Sequence, residues 1–141
     1  MIERVRIYTD GGSRGNPGPA ASGAVIKTMK DGKEGEVIAE VSRYLGKDTN
    51  NQAEYTAIII GLERAKELGA KEVEVVMDSE LAVKQLNGLY KVKNPGIAKR
   101  FMEIWQLKSH FKKISFRHVR REYNKEADAL VNFTLDRAKG K

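Results

Sequence analysis

No stretch constrains this chain more than Thr49 to Leu62, TNNQAEYTAIIIGL, where short polar residues run directly into an apolar segment. Ile58, Gly61, Ala65 and Leu68 continue at helical spacing, which predicts a helix with one buried face. Thr49 and Gln52 have the spacing of a capping box, in which side chains satisfy the first free backbone N–H groups. Gly69 suits the left-handed residue that closes a helix. Thr49, Asn50, Asn51 and Glu54 are thereby presented together at the N-terminal turns. Glu54 alone has two readings of equal weight: complementarity to the helix dipole on a solvated turn, or a chemical role.

Around that helix the remaining elements follow in order. Residues 2–9 alternate Ile2, Val5 and Ile7 with charged or aromatic neighbours and read as a strand ending at Asp10. The stretch GGSRGNPGPAASG follows and is expected to interrupt regular structure. Such a loop lets backbone approach a ligand closely. It lacks the ending of a phosphate-binding P-loop, and a wide hairpin turn explains it equally well. Strands from Gly23 to Met29 and Glu36 to Leu45 flank a turn at Lys30–Gly35 and make an antiparallel meander.

After the helix, Val73, Val75, Val76 and Met77 form a buried strand that stops at Asp78, and Ser79 caps a short helix. Strand, helix, strand in that order implies a parallel pairing with a right-handed crossover. The strands ending at Asp10 and Asp78 then lie side by side, and ligands of such sheets sit beyond the carboxyl ends. Asn94-Pro95 opens a further helix with Ile97, Phe101, Ile104, Trp105 and Leu107 on its apolar face. Trp105 is expected in the core rather than as a stacking platform. Residues 114–119 form the last strand. Asn124 is expected to cap a final helix that turns Ala127, Leu130, Val131, Leu135 and Ala138 inward and carries Asp128 on its first turns.

Asp10, Glu54, Asp78 and Asp128 thus share one pattern, two at strand ends and two near helix N-termini. Here composition matters. The chain of 141 residues has a formal net charge of +7 and a pI near 9.6, which points to a polyanionic partner. Four clustered acids in such a protein repel one another unless cations intervene. All-oxygen ligation suits Mg²⁺ or Mn²⁺, and with no cysteine there is no zinc–thiolate alternative. Two such ions, about 4 Å apart, are suited to phosphodiester cleavage. The length fits one domain, residues 1–141, with a real core. Absence of cysteine fits a reducing compartment, and no run has the length of a membrane span, so the chain reads as a cytoplasmic protein.

The blocks DGGSRGNPGPAASGAV, TNNQAEYTAIIIGL, VVMDSELAV and NKEADALVN together resemble those of type 1 ribonuclease H, in order and over essentially the whole chain. The resemblance implies an α/β fold with a five-stranded mixed sheet, order 3-2-1-4-5, and helices on both faces. It implies a monomer that hydrolyses the RNA strand of RNA–DNA hybrids with two Mg²⁺ ions, leaving 3′-hydroxyl and 5′-phosphate ends. Asp10 would bridge the ions, Asp128 help hold the nucleophile-side ion, and Glu54 with Asp78 the leaving-group-side ion. Ser13, Gly15, Asn16, Asn50 and Gln52 would line the minor groove, where a 2′-hydroxyl distinguishes RNA from DNA. Thr49, Asn51 and Asn16 resemble a pocket for a DNA-strand phosphate. Capping and turn formation are the ordinary alternative for all of these.

Three features depart from the family pattern. Glu80 stands where glutamine is common. The chain after Asp78 is too short for the long basic protrusion of some members, leaving Lys91, Lys93, Lys99 and Arg100 as phosphate contacts or simply a solvated face. His118 precedes Asp128 by ten residues, but the segment VRREYN looks too short for a mobile histidine loop, so Arg121 is the competing candidate for assisting turnover. His110 is read as structural. Other readings are a catalytically silent RNA-binding module and an integrase- or resolvase-like nuclease. Whether double-stranded RNA is also cut stays open.

Overall fold

The computed structural model describes residues 2–140. In chain order these form β1 (Arg4–Ser13), β2 (Gly18–Lys30), β3 (Lys33–Asp48), α1 (Asn50–Glu67), β4 (Glu72–Met77), α2 (Glu80–Leu86), α3 (Pro95–Lys108), β5 (Lys113–His118) and α4 (Lys125–Lys139). A single 3-10 turn, Arg121–Tyr123, leads into α4. The five strands make one sheet in the order β3-β2-β1-β4-β5. The meander β1–β2–β3 is antiparallel, and β4 joins β1 and β5 in parallel. The expected topology is the observed one.

Helix α1 organises the main core. Ile58 and Leu62 are fully buried and belong to one cluster with Val5, Ile7, Ala24, Ile26 and Val75 of the sheet. A Cβ on Gly61 would meet Ile7 at 3.0 Å and Ala24 at 3.2 Å, so the helix lies directly on β1 and β2. Thr9 lies close to the same glycine. Odd-numbered residues of β1 therefore face α1, and strand alternation turns Asp10 toward the opposite face. A smaller cluster, Ala21 with Val131 and Leu135, packs β2 against α4.

The ends of α1 follow the sequence, with one half of the capping box missing. Thr49 is extended, and its Oγ1 accepts the Gln52 N–H at 3.2 Å. The reciprocal bond is absent: the Thr49 N–H donates to Asp48 Oδ1 at 2.9 Å, and Gln52 Oε1 accepts from Arg100 instead. At the other end Gly69 has φ +79°, its N–H bonded to Lys66 and that of Ala70 to Ala65. That pattern of carbonyls capped by a left-handed glycine ends the helix cleanly.

Several sequence expectations are corrected. Strand β1 does not stop at Asp10 but runs on through Gly11, Gly12 and Ser13, paired with Ser22, Ala21 and Ala20. The β2 partners supply the ladder that these glycines could not hold alone, and only the short turn after Ser13 is irregular. Trp105 is not core: it is 46% exposed, with Lys108 Nζ 4.1 Å from its ring centre and Phe101 packed alongside. One residue is 100° of helix, so the buried position of Ile104 carries Trp105 out of the interface. Leu130 and Ala138 are half-buried, whereas Ala127, Val131 and Leu135 are buried as expected. Strand β5 ends at His118, although the Val119 N–H still bonds to Met77 at 2.9 Å. Asn124 stands at the head of α4, but its side chain makes no capping bond.

Candidate active site

Four elements each deliver one carboxylate. Asp10 lies two residues past the last parallel rung, Tyr8 with Val76, where β1 outruns β4. Asp78 follows β4 directly, just before Ser79, whose hydroxyl caps α2 by accepting the Ala82 N–H at 3.3 Å. Glu54 comes from the early turns of α1, and Asp128 from the first turn of α4. All four line one cleft of about 430 Å³, together with Asn50, Arg14, Arg121 and Asn132.

Crowding in that cleft shows in the acidities. Burial, followed by the charges of Asp78 and Asp128, raises the Asp10 carboxyl far above the usual carboxylate range. A hydrogen bond with Asp128 and the charge of Glu54 add to the effect. Burial pushes Glu54 up to about 7, an effect that Ser79 opposes in part and the charge of Asp78 reinforces. Asp10 is thus the acid that senses the other three. Metal-free, it holds its charge only against repulsion.

Among the described residues, no three acidic or histidine side chains converge tightly enough to form a ready-made cage for an ion. Mg²⁺ needs no such cage, since it keeps much of its water and is held by one or two carboxylates plus substrate phosphate. The donor set is all oxygen, and the weakened acidity of Asp10 and Glu54 is what a nearby divalent cation would reverse. The residues present therefore fit a hard divalent cation.

Beside the acid cleft lies a second one of about 600 Å³, lined by Asn16, Thr49, Asn50, Asn51, Gln52 and Asn94. The two share Gly11, Asn50 and Glu54. Asn50 ties them together: its Oδ1 accepts both the N–H and the hydroxyl of Ser13, at 2.8 and 3.0 Å. The Asn50 N–H in turn donates to Asn16 Oδ1 at 3.0 Å. The glycine-rich turn is thereby stapled to the N-terminus of α1. Gly15 lines neither cleft.

The structure places the remaining candidates as follows. Gln52 is a tie between helices: its Oε1 accepts from Arg100 Nε at 3.2 Å, and Arg100 also pairs with Glu103 at 3.0 Å. Arg100 is therefore engaged rather than free for phosphate, unlike the exposed Lys91, Lys93 and Lys99. His118 is the last residue of β5, exposed, and paired with Met77 in the ladder; it does not line the acid cleft. Arg121 does, with Nη2 4.0 Å from Asp128 Oδ1.

Three asparagines were not singled out by sequence for their place at the site. Asn132 donates to Asp128 Oδ2 at 3.5 Å, and its position four residues after Asp128 on one helix face was the available signal. Asn94 caps α3, accepting from Gly96 and Ile97, but nothing in the sequence says that α3 begins beside α1. Asn124 is buried, and its Nδ2 donates to the Thr9 carbonyl at 2.9 Å.

Comparison with known proteins agrees with this geometry. Residues 8–134 match the model of the reverse transcriptase-like family. The chain is 42% identical over 135 residues to ribonuclease HI of Halobacterium salinarum, covering 96% of this chain and 66% of that protein. The crystal structure of the Halobacterium enzyme superposes with a TM-score of 0.89 over 94% of this chain and 98% of that one. A compost-derived ribonuclease H1, LC11, solved in complex with an RNA/DNA hybrid, is 45% identical with a TM-score of 0.87, covering 95% and 98% of the two chains. The bifunctional protein Rv2228c of Mycobacterium tuberculosis is 45% identical over 135 residues, covering 96% of this chain but 36% of that protein. The chain thus spans about a third of its mycobacterial relative. By sequence, by sheet order and by the resemblance of its four acidic blocks, the chain belongs to the type 1 ribonuclease H family.

Proposed function

We propose that this chain is an endoribonuclease that hydrolyses the RNA strand of RNA–DNA hybrids. The observation that carries the reading is the shared cleft of Asp10, Glu54, Asp78 and Asp128, continuous with the asparagine-lined cleft through Asn50. The similarity to a ribonuclease H1 solved with an RNA/DNA hybrid supports the substrate class.

Asp10, the acid crowded by the other three, would hold both of two Mg²⁺ or Mn²⁺ ions, with Asp128 on one side and Glu54 and Asp78 on the other. Such ions, when bound, supply a water activated for attack and stabilisation of the departing oxygen. Water adds at phosphorus, the bond to the 3′-oxygen breaks, and the products carry a 3′-hydroxyl and a 5′-phosphate. Ser13, Asn16 and Asn50 present amide and hydroxyl groups where the hybrid's minor groove would lie. A 2′-hydroxyl there both donates and accepts, which a DNA strand cannot match. Thr49, Asn51 and Asn16 would take a DNA-strand phosphate at the head of α1, toward the positive end of the helix dipole. Arg121, beside Asp128, would draw the cleaved phosphate away.

Both clefts are built by one copy of the chain, which fits a monomer. No helix among the described residues is long and apolar enough to cross a membrane. The absence of cysteine fits work in the cytoplasm. The test is a panel of matched RNA–DNA hybrid, double-stranded RNA and double-stranded DNA, each with Mg²⁺, Mn²⁺ or EDTA. Cutting of the hybrid's RNA strand alone, lost in EDTA, is expected. Cutting of double-stranded DNA would favour a resolvase-like nuclease, and binding without cutting a silent module.

A further inference from the structure

Asn124 is a buried polar residue that the hydrolytic scheme leaves unused. It is 1% exposed and stands where the 3-10 turn meets α4. Its Nδ2 donates to the carbonyl of Thr9 at 2.9 Å, one residue before Asp10. Its own backbone carbonyl accepts the N–H of Asp128 at 3.1 Å. One residue therefore grips the main chain beside two of the four acids.

The surroundings make this grip matter. Thr9 is paired with Ala24 of β2 but lies past the last rung of the β1–β4 ladder, where β4 meets it only through a 3.4 Å bond from the Thr9 hydroxyl to the Val76 carbonyl. The buried cluster beneath α4 is small, Ala21 with Val131 and Leu135. Apolar packing of that kind is non-directional, whereas an amide-to-carbonyl bond fixes distance and angle. Asn124 Oδ1, meanwhile, is buried without a partner among the described residues. A half-satisfied buried amide is a poorer choice for stability than an apolar side chain of its size. The donor end remains as the reason for asparagine at this place.

We propose that Asn124 is a positioning residue: by clamping the Thr9 carbonyl to the first turn of α4, it sets the spacing of Asp10 and Asp128 for a divalent cation. The inference rests on the reading of these two acids as metal ligands. Partners that orient a ligand in this way are typically worth about 10–100-fold in metal affinity or activity.

The test compares wild type, Asn124→Ala, Asn124→Leu and Val73→Ala. The last lies at the far end of the sheet and controls for lost stability alone. Melting temperature is followed against Mn²⁺ concentration without substrate, and kcat and KM are measured on the hybrid. Both Asn124 variants should raise the metal midpoint and lower kcat, each by about tenfold or more, with KM nearly unchanged. Val73→Ala should move only the melting temperature. Asn124 variants that lose stability but keep the wild-type metal midpoint and kcat overturn the proposal. If neither Asn124 variant folds, the wild-type protein decides by NMR. Its Asn124 side-chain NH₂ signals should shift with Mg²⁺ at the same midpoint as the Asp10 and Asp128 amides, and signals that stay still overturn the proposal. A wild type that neither binds the ion nor cuts hybrid overturns the functional reading beneath it, a distinguishable result.

Discussion

A Cβ built on Gly11 would stand 2.2 Å from the backbone carbonyl of Ala53 and 2.4 Å from the Glu54 nitrogen. Strand β1 and helix α1 therefore touch backbone to backbone, one residue after Asp10 and beside Glu54. No side chain fits between them. Gly11→Ala should force the elements apart, costing about 1–3 kcal/mol in overpacking and separating the two acids. A lower melting temperature together with a loss of kcat of about tenfold or more is expected. A variant with wild-type melting temperature and turnover would contradict this contact.

The acid cluster makes metal-free stability fall as pH rises. Asp10 and Glu54 both have acidities weakened by folding, Glu54 to about 7, so the folded state binds their protons more tightly than the unfolded chain does. The stability they contribute is complete below about pH 4, the unfolded range, and is lost as pH rises through the folded values. Asp10→Asn in EDTA should therefore melt several degrees above wild type near pH 8 and about level with it near pH 4. Saturating Mg²⁺ should close the gap at pH 8. A melting difference that does not vary with pH would contradict the repulsion.

On the proposed reading, Asn50 and Asn16 act through recognition. Replacing either with alanine should raise KM for hybrid by about fivefold or more while changing kcat little, the signature of lost uniform binding. Asn50→Ala should be the more damaging, since the Asn50 Oδ1 holds Ser13 by two bonds, whereas Asn16→Ala gives up one, from the Asn50 backbone N–H. Steady-state kinetics on one defined hybrid decide it. A collapse of kcat at constant KM would assign these residues to the chemistry or the fold instead.

His118 and Arg121 are separated by a pH–rate profile with metal saturating. His118 is fixed in the β5 ladder, while Arg121 lies on the acid cleft beside Asp128. His118→Ala should change turnover by less than about tenfold, below the usual range of acid–base groups. Arg121→Ala should cost more, and wild-type turnover should show no ionisation near about 6.5, the usual histidine value. A wild-type inflection there, lost in His118→Ala and kept in Arg121→Ala, would restore the histidine.

Much of this arrangement was legible in the residues, for reasons that differ by element. The period of Ile58, Gly61, Ala65 and Leu68 marks α1, because a buried helix face must repeat at that spacing. Thr49 and Gly69 mark its ends through backbone groups that need partners. The sheet order and each acid's expected share of the two ions came from family resemblance, whereas the expectation of a divalent cation came from the joint placement of the four acids in a basic chain. Other features depended on contacts that sequence does not encode locally. Gly11 to Ser13 look like loop because glycine is a poor strand former, yet β2 supplies them a full set of partners. Trp105 fits an apolar stripe, but α3 buries only a narrow face, Ile97 and Ile104. Asn124 and Gln52 look like local caps, and both instead spend their side chains on distant partners, Thr9 and Arg100.

The most direct measurement is single-turnover cleavage and equilibrium binding of one RNA–DNA hybrid by Asp10→Asn at saturating Mg²⁺. Asp10 is the acid on which the charges of the other three act, and the asparagine-lined cleft is formed without its carboxylate. Asp10→Asn should bind hybrid about as tightly as wild type and cut no RNA strand on the same timescale. Robust cleavage by that variant would contradict the metal-dependent mechanism, and loss of binding with cleavage would contradict the separation of recognition from chemistry.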